Sequence, residues 1–506
     1  MDRVKKIFAS LSKTEIRYLK NYLTAFHNKG SNKSLELIEL IEKHPHWDQA
    51  QFSQKLYGDP QSKAFLMMRK RLLEKMMETL SLSINFHNNP TFKGDPPAYE
   101  SIAILKDYMY ALFLRRRGLE KLAVELLQRC VQKADKFAMP EYKMLALASL
   151  RSVASDQAEL DQNIHPQLER ALAQYENDLL AGGIDKTFRL MTDQHPVFDE
   201  KRIQYLEEQT AFLEEKLQEI DSPRARYFFI NLKLQLANGK EDYETSKAVY
   251  QELITHIENN KGLKSRNRLG IPYLRLSSIE LYQENFAGGL VAAEEALKLF
   301  PARKYNYLQA AICKLFACCY LGKFEEAENC IESLAYFIET PAKRHLRPVL
   351  LALDWIHYFR SCLAFFGQDY RRALDLLGNV DELFTDKTGW NIDLRIHEII
   401  LLIERQQLDL AAARIEALRK HIQKYKVEGR PLSIFRYLYH LERNAFDFSR
   451  PDPEMQEALH ILIHQMPWDA VNAEVIRFEI WVEAKANKQA YFPLFQESMK
   501  LGSISS

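Results

Sequence analysis

Two histidines at helical spacing are the residues of this sequence that most resemble a metal site. His460 and His464 are four residues apart, so on a helix both rings would project from one face and could bind zinc. The zinc hydrolases that use this spacing carry a glutamate directly after the first histidine, and every zinc site needs further ligands. Here Ile461 follows His460, and no third ligand is suggested nearby. We interpret the pair as chance spacing on an ordinary helix and expect no bound metal.

Other motifs of catalysis and cofactor binding are missing from the sequence. There is no P-loop, no G-x-G-x-x-G, no G-x-S-x-G, no H-E-x-x-H and no calcium-binding EF-hand loop. We therefore predict no catalytic residues, no cofactor and no enzymatic activity. The cysteines form no C-x-x-C pair, and two are adjacent: Cys130, Cys313, Cys318, Cys319, Cys330 and Cys362. We interpret them as small core residues with free thiols, which suits a reducing cytoplasm.

The overall composition favours a large helical protein without a membrane segment. A chain of 506 residues exceeds one compact core, and its 17 glycines are about half the usual share of roughly 7%, which argues against turn-rich β architecture. The chain has 69 Lys+Arg and 68 Asp+Glu, so its net charge of +1 creates no overall field that would attract nucleic acid or an anionic membrane. No stretch of about 18 uncharged apolar residues occurs, so we expect no membrane partner.

The first 90 residues read as a separate helical domain. Ser12 and Glu15 form a capping box with Leu11 and Ile16 as its hydrophobic staple, and Asp48-Gln49-Ala50-Gln51 repeats the device. Gly58 is placed to end that second helix, and a longer helix is predicted from Ser62 to about Leu82. Asn, Pro and Gly residues then mark a linker at 91–98.

DNA binding is the alternative hypothesis for the function of this domain. Residues 1–90 hold 15 Lys+Arg against 9 Asp+Glu, a net charge of about +6. Two helices joined at Gly58 would resemble a helix-turn-helix element, and its second helix carries the candidate contacts Lys63, Arg69, Lys70 and Arg71. Against this, the run Phe65-Leu66-Met67-Met68 fits a buried helix, and the basic residues point in different directions around it. Nucleic acid is thus a candidate partner only through residues 1–90.

From Tyr99 onward the sequence predicts helices separated by short turns, and from Tyr243 one pattern of residues recurs. An aromatic or large apolar residue is followed by a small one three positions later and by apolar residues at seven and ten, all on one helix face. The five copies are Tyr243-Ser246-Tyr250-Leu253, Phe286-Gly289-Ala293-Ala296, Phe324-Ala327-Ile331-Leu334, Tyr370-Ala373-Leu377-Val380 and Leu408-Ala411-Ile415-Leu418. A small residue lets a neighbouring helix approach closely. Gly322 and Gly367, each shortly before an aromatic, are expected at turns between antiparallel helices.

This pattern resembles the second half of a tetratricopeptide repeat, and residues 273–301 match that family best. The first positions of successive copies are 38 to 46 residues apart, longer than the family's repeat of about 34. The resemblance implies an all-α fold, a right-handed superhelix of antiparallel helix pairs (an α-solenoid) preceded by a small helical domain. We predict divisions at 1–90 (helical domain), 91–98 (linker), 99–235 (diverged pairs), 236–450 (repeats) and 451–506 (a closing helix pair).

Tetratricopeptide proteins usually hold a peptide or protein segment in their inner groove, so the resemblance implies a non-enzymatic, bacterial-type cytoplasmic scaffold or adaptor. The alternative is a transcriptional regulator with a helix-turn-helix-like domain and a sensor array. Leu274, Ser278 and Leu281 are expected to face the groove, and none is basic, so a clamp for a terminal carboxylate is not supported. The candidate polar groove contacts are Arg275, Ser278, Lys314 and Arg360.

Overall fold

The computed structural model describes residues 1–25, 32–83, 95–153, 158–194, 199–302, 305–339, 353–380, 389–466, 468 and 474–502. Across these ranges the regular structure is entirely α-helical, with 24 helices and no strand. The predicted all-α class is therefore confirmed for the described part of the chain. In that part, no helix is both long enough and apolar enough to span a bilayer.

The helices are numbered along the chain. The first eight are α1 Asp2–Ser10, α2 Lys13–Ala25, α3 Lys33–Lys43, α4 Gln49–Tyr57, α5 Lys63–Ser83, α6 Pro96–Arg116, α7 Glu120–Lys136 and α8 Pro140–Val153. The next eight are α9 Ala158–Gln194, α10 Glu200–Glu219, α11 Pro223–Gly239, α12 Tyr243–Asn259, α13 Arg266–Tyr282, α14 Phe286–Leu299, α15 Tyr305–Tyr320 and α16 Phe324–Glu339. The last eight are α17 Leu353–Phe366, α18 Tyr370–Leu377, α19 Trp390–Glu404, α20 Leu408–Tyr425, α21 Arg430–Arg443, α22 Pro453–His464, α23 Phe478–Asn487 and α24 Tyr491–Gly502.

The chain divides into two compact units that interleave in sequence. The first comprises residues 1–184, 213–226 and 260–265, and the second comprises 185–212, 227–259 and 266–506.

In the first unit, α1 to α5 share one apolar core, and α2 and α4 are capped as predicted. The amide of Ser12 donates to Glu15 Oε2 (2.7 Å) and the amide of Glu15 donates to Ser12 Oγ (3.3 Å). Asp48 and Gln51 make the second capping box, and Gly58 ends α4 in the left-handed conformation at φ 75°. These side chains satisfy backbone groups that a helix end leaves open, so they set where α2 and α4 begin.

The apolar run at the start of α5 is only half buried, contrary to expectation. Phe65 and Met68 lie in the core shared by α1 to α5, whereas Leu66 and Met67 are exposed. Since α5 packs on one side only, residues one position away from the packed stripe turn outward. The apolar run is therefore compatible with an exposed face on α5.

Most of the second unit is a series of consecutively packed helix pairs, and each repeated pattern starts at a helix boundary. The first residue of every pattern (Tyr243, Phe286, Phe324, Tyr370, Leu408) is also the first residue of α12, α14, α16, α18 or α20. In the four pairs from α13 onward the preceding helix packs against it, as α13 does on α14 and α19 does on α20. The pattern therefore marks the second helix of a repeating pair.

One turn geometry joins the two helices of each pair. The residue two before the second helix adopts a left-handed conformation in all five patterned pairs: Glu241, Glu284, Gly322, Gln368 and Gln406. The next amide donates to a carbonyl five residues back, as Asn285 does to Glu280 (2.8 Å) and Gln407 does to Leu402 (2.9 Å). This is the Schellman closure of a helix end. Gly322 occupies the left-handed position at φ 73°, as expected. Gly367 also lies in the turn between α17 and α18, as expected, and Gln368 takes the left-handed position there.

The small residue at the second position is buried in every copy. Ser246, Ala327, Ala373 and Ala411 are each 0% exposed, and Gly289 is buried as well. A Cβ on Gly289 would lie 3.0 Å from a methyl carbon of Leu281 in the preceding helix, so that contact already leaves no spare room. The close approach predicted for this position is confirmed.

The pair α6–α7 of the first unit has the same construction. Gly118 is left-handed two residues before α7, and the Leu119 amide donates to the Leu114 carbonyl (3.0 Å). Ala123, at the second position of α7, is fully buried. Glu120 replaces the aromatic at the first position, which explains why the sequence pattern missed this copy.

Two further details of the repeats differ from expectation. Val380 lies beyond the end of α18, which stops at Leu377. Only the first three residues of the fourth copy therefore lie in a helix. The C-terminal region contains three described helices, α22 to α24, instead of a closing pair.

A buried ionic cluster fixes the start of α21 to the segment before α23. The guanidinium of Arg430 donates to Glu474 Oε1 (2.9 Å) and to the carbonyls of Leu462 (3.1 Å) and Met466 (2.7 Å). It also pairs with Glu479. Burial raises the pKa of Glu474, and the adjacent guanidinium opposes that shift. The Arg430 side chain therefore contacts four residues that lie in α22, just after it, before α23 and in α23.

Candidate functional site

The surface of α19 carries a recess among the repeats of the second unit. It has a volume of about 520 Å³ and lies between α18 and α20. Its lining is contributed by these three helices and the turns beside them: Leu374, Leu377, Gly378, Val380, Asn391, Leu394, Arg395, Glu398, Leu402, Gln407, Leu410, Arg414, His421 and Tyr425. We call this recess the α19 groove.

The dimensions of α18 explain where the α19 groove lies. The second helices α12, α14, α16 and α20 contain 17, 14, 16 and 18 residues, whereas α18 contains only 8. At about 1.5 Å per residue, α18 is some 9 to 15 Å shorter than its counterparts. It therefore covers less of α19 than a full-length second helix would.

The α19 groove combines apolar positions with charged groups. Leu394 and Leu402 face it from α19, and Leu410 at its edge is 56% exposed. Glu398 accepts from Arg414 Nε at 2.8 Å, which links α19 to α20 across the groove. Arg395, one turn before Glu398, is exposed. Two arginines and one glutamate give the lining a net positive charge.

The four residues predicted as groove contacts do not line the α19 groove. Arg275 is exposed on α13. Ser278 Oγ donates to the carbonyl of Leu274 within the same helix (3.3 Å). Lys314 of α15 forms an ion pair with Glu294 of α14 at 2.8 Å. Ser278 is thus engaged within its own helix, and Lys314 joins its helix pair to the preceding one.

Arg360 behaves like Lys314. Its Nε donates to Glu328 Oε1 at 2.6 Å, joining α17 to α16. The expectation that Leu274 and Leu281 face a groove was wrong, because both are buried in the apolar core between helices. Helix α13 therefore turns these leucines inward, and the α19 groove lies further along the chain.

A buried polar cluster in α17 and α19 contains serine, histidine and aspartate. Ser361 Oγ lies 2.9 Å from His397 Nε2 and donates to the carbonyl of Ala373 at 2.8 Å. Tyr358 donates its hydroxyl to Asp393, which lies one turn before His397 on α19. Burial lowers the pKa of His397 from its usual value to about 3 and raises that of Asp393 well above its usual range.

This cluster does not have the arrangement of a hydrolase triad. The hydroxyl hydrogen of Ser361 is committed to the Ala373 carbonyl, so the hydroxyl oxygen must accept a hydrogen from His397 Nε2. A triad histidine instead accepts the serine's hydrogen at this nitrogen. All of these side chains are at most 5% exposed, and no substrate could reach them from solvent. The cluster joins helices within the core.

The basic residues of α5 do not form one basic surface. Lys63, Lys70 and Arg71 are exposed, whereas Arg69 is half-buried and donates to Gln49 of α4. The same exposed side of α5 also carries Glu74, Glu78, Met67 and Met77. Acidic and apolar side chains between the cations weaken any field that would attract phosphates.

His460 and His464 share one face of α22, with ring centroids 4.6 Å apart. Among the described residues no cluster of three or more metal-ligating side chains exists, and the histidine pair has no third ligand there.

Helix pairs with a common turn, a buried small residue and a recess on their surface define a tetratricopeptide-like helical-repeat protein. No protein-family model and no curated protein matches the chain. Among solved structures, a signal transduction ATPase with numerous domains (STAND) protein with a tetratricopeptide repeat sensor, from Pyrococcus horikoshii, is 13% identical with a TM-score of 0.31. The match covers 90% of this chain and 64% of that one, less than two thirds of its length. The class assignment rests on the repeated pairs of this chain itself.

Proposed function

We propose that this protein is a non-enzymatic scaffold or adaptor that binds an extended segment of another protein in the α19 groove. The observation that carries the proposal is the groove itself, a recess of about 520 Å³ with apolar and charged lining, set in an array of helix pairs. Pockets of roughly 300–1,000 Å³ are typical of sites that enclose small ligands or a few residues of a peptide.

The lining favours a segment that combines apolar and acidic side chains. Leu394 and Leu410 offer apolar contact area, which provides affinity by removing apolar surface from water. Arg395 and Arg414 can donate two parallel hydrogen bonds to a carboxylate, a geometry that lysine lacks. Glu398 already holds Arg414 in place at 2.8 Å, so this guanidinium is preorganised for a ligand.

The buried titratable groups support a binding role over catalysis. Ser361 and His397 are the residues whose types best suit hydrolysis, and both are engaged inside the core. The six cysteines are free thiols, which supports action in a reducing compartment such as the cytoplasm.

The experiment is a selection of random peptides displayed on phage against the full chain, followed by fluorescence-polarisation titration of the enriched sequences. We expect apolar and acidic residues to be enriched. Arg395→Glu and Leu410→Glu should each weaken binding at least tenfold, because both positions are exposed and line the groove. Lys420→Glu, on the same helix α20 but outside the groove, is the matched control and should leave the affinity unchanged.

Failure to enrich any peptide, or equal losses in all three variants, would contradict this proposal. DNA binding through residues 1–90 stays a prediction. It would be supported by a full chain that shifts DNA with an affinity that falls steeply as salt rises.

A further inference from the structure

The outward face of α6 carries a row of exposed apolar side chains. Leu105, Met109 and Phe113 are 38%, 54% and 62% exposed, and Leu112 is exposed as well. On the opposite face Ile104 and Ala111 are buried against neighbouring helices. Surface apolar residues are ordinary when scattered, but a continuous row on one helix face indicates a contact surface.

The inner side of α6 is fixed by contacts with α7, so the apolar row does not arise from a loosely held helix. Asp107 pairs with Arg129 at 2.9 Å and with Lys133 at 3.1 Å, both on α7. Cys130 of α7 donates to the carbonyl of Ile104 at 3.6 Å. With this side occupied, the apolar row must face away from the α6–α7 pair.

Four apolar residues on this face of α6 have the spacing of a helix that packs along a second helix. Ile102, Leu105, Met109 and Leu112 are separated by three, four and three residues. This alternation keeps one narrow apolar seam facing a partner helix and is the spacing of coiled-coil contacts. The seam thus selects an α-helix as its occupant over an extended strand.

The charges at the two ends of the seam identify which helix fits. Asp95, Ile102, Met109 and Arg116 follow one another at intervals of seven, so an acidic and a basic residue close the seam at opposite ends. Asp95 caps α6 by accepting from the amide of Ala98 at 3.3 Å. A parallel second copy would place Arg116 beside Arg116, whereas an antiparallel copy brings Arg116 within about one helical turn of Asp95.

We propose that α6 pairs in antiparallel fashion with α6 of a second copy of this chain, so that the protein forms a two-fold symmetric dimer. Such an interface must be self-complementary, and a seam with opposite charges at its ends satisfies this requirement. In the antiparallel register Ile102 packs on Leu112 of the second copy, and Leu105 packs on its Met109. The α6 seam belongs to the first unit and the α19 groove to the second, so the two proposals are tested separately.

Disulfide trapping on the full chain distinguishes the arrangements. Two variants, Ile102→Cys and Leu112→Cys, are oxidised separately and as an equimolar mixture, with the unsubstituted chain as background for its six native cysteines. The antiparallel pair predicts a crosslinked dimer only in the mixture, because a disulfide needs Cβ atoms about 4 Å apart. A crosslink within each single variant would show a parallel pair and overturn the proposal.

Mass measurement by light scattering adds a second readout. The unsubstituted chain is expected at twice the chain mass, and Met109→Glu at the mass of one chain. Met77→Glu is the matched control, since Met77 on α5 is 55% exposed against 54% for Met109. A monomeric unsubstituted chain would overturn the proposal and assign the seam to a helix of another protein. A dimer that survives Met109→Glu would also overturn it.

Discussion

The hydroxyl of Ser361 donates a hydrogen bond to the backbone carbonyl of Ala373, twelve residues later and in the next helix, at 2.8 Å. The same contact recurs between Ser277 and Gly289 at 2.7 Å. In both cases the acceptor is the small residue at the second position of the repeated pattern. The close approach that a small residue allows is therefore used to join the two helices of a pair by a side-chain hydrogen bond.

Both serines bond to a backbone carbonyl, but only Ser361 also contacts His397, and replacing each serine separates the two contributions to stability. Ser277→Ala removes one hydrogen bond and should lower the free energy of unfolding by about 1 kcal/mol. Ser361→Ala also leaves His397 Nε2 buried without its partner, so the loss should reach about 2–4 kcal/mol. Chemical denaturation followed by circular dichroism measures both. Equal losses would show that the His397 contact adds nothing.

The buried small residue predicts a strong dependence on side-chain size. Ala411→Leu would force a larger side chain into a fully buried contact and should cost about 1–3 kcal/mol of stability. Ala413→Leu, two residues later on the same helix and exposed, should change stability by less than about 0.5 kcal/mol. Thermal unfolding of the two variants provides the comparison. Similar unfolding temperatures would contradict the close approach.

His397 makes stability depend on pH in a known direction. Burial lowers its pKa to about 3, whereas in the unfolded chain it takes up a proton below about 6.5. The unfolded state then binds more protons than the folded one, so the folded state loses stability as pH falls from 6.5 toward 3.

The variant His397→Asn cannot take up that proton. The free energy of unfolding of the variant, relative to that of the unsubstituted protein, should therefore rise as the pH falls. The expected rise between pH 7 and pH 4.5 is about 2–3 kcal/mol. Asp393, whose pKa is raised by burial, is present in both proteins and contributes equally to both. Urea unfolding at several pH values measures the difference. A difference that stays constant would contradict a neutral His397.

The Arg430 cluster predicts the opposite pH trend. Arg430→Met leaves Glu474 and Glu479 buried without their cation, and breaking a buried pair costs about 3–5 kcal/mol. Burial already raises the pKa of Glu474, so the folded state binds more protons and stability through this group falls as pH rises. The loss in Arg430→Met should thus be larger at pH 8 than at pH 5. Arg436→Met, exposed on the same helix, should show no such loss at either pH.

The sequence pattern predicted the repeating pairs because it records local requirements. A small residue such as Ala327 or Ala411 is needed wherever two helices touch, and a capping box such as Ser12 with Glu15 acts within four residues. The pattern failed at α7, where the polar Glu120 stands at the first position although Ala123 is fully buried. There an exposed first residue does not have to be aromatic.

The α19 groove could not be predicted from the same pattern. It depends on the length of α18, and the sequence of that helix matches its longer counterparts at the first three positions. The partners of Lys314 and Arg360 could not be predicted for a related reason, because their ion pairs with Glu294 and Glu328 join neighbouring helices. Spacing within one helix shows which residues share a face, and only packing shows what that face meets.

The most direct test of a segment-binding α19 groove is photo-crosslinking of a selected peptide. A photoreactive phenylalanine analogue is placed at Leu410, which lines the groove, or at Lys420, which lies outside it on the same helix. Binding in the α19 groove predicts that the labelled peptide is crosslinked from position 410 and not from position 420. Crosslinking from position 420 alone, or equally from both, would contradict binding in the α19 groove.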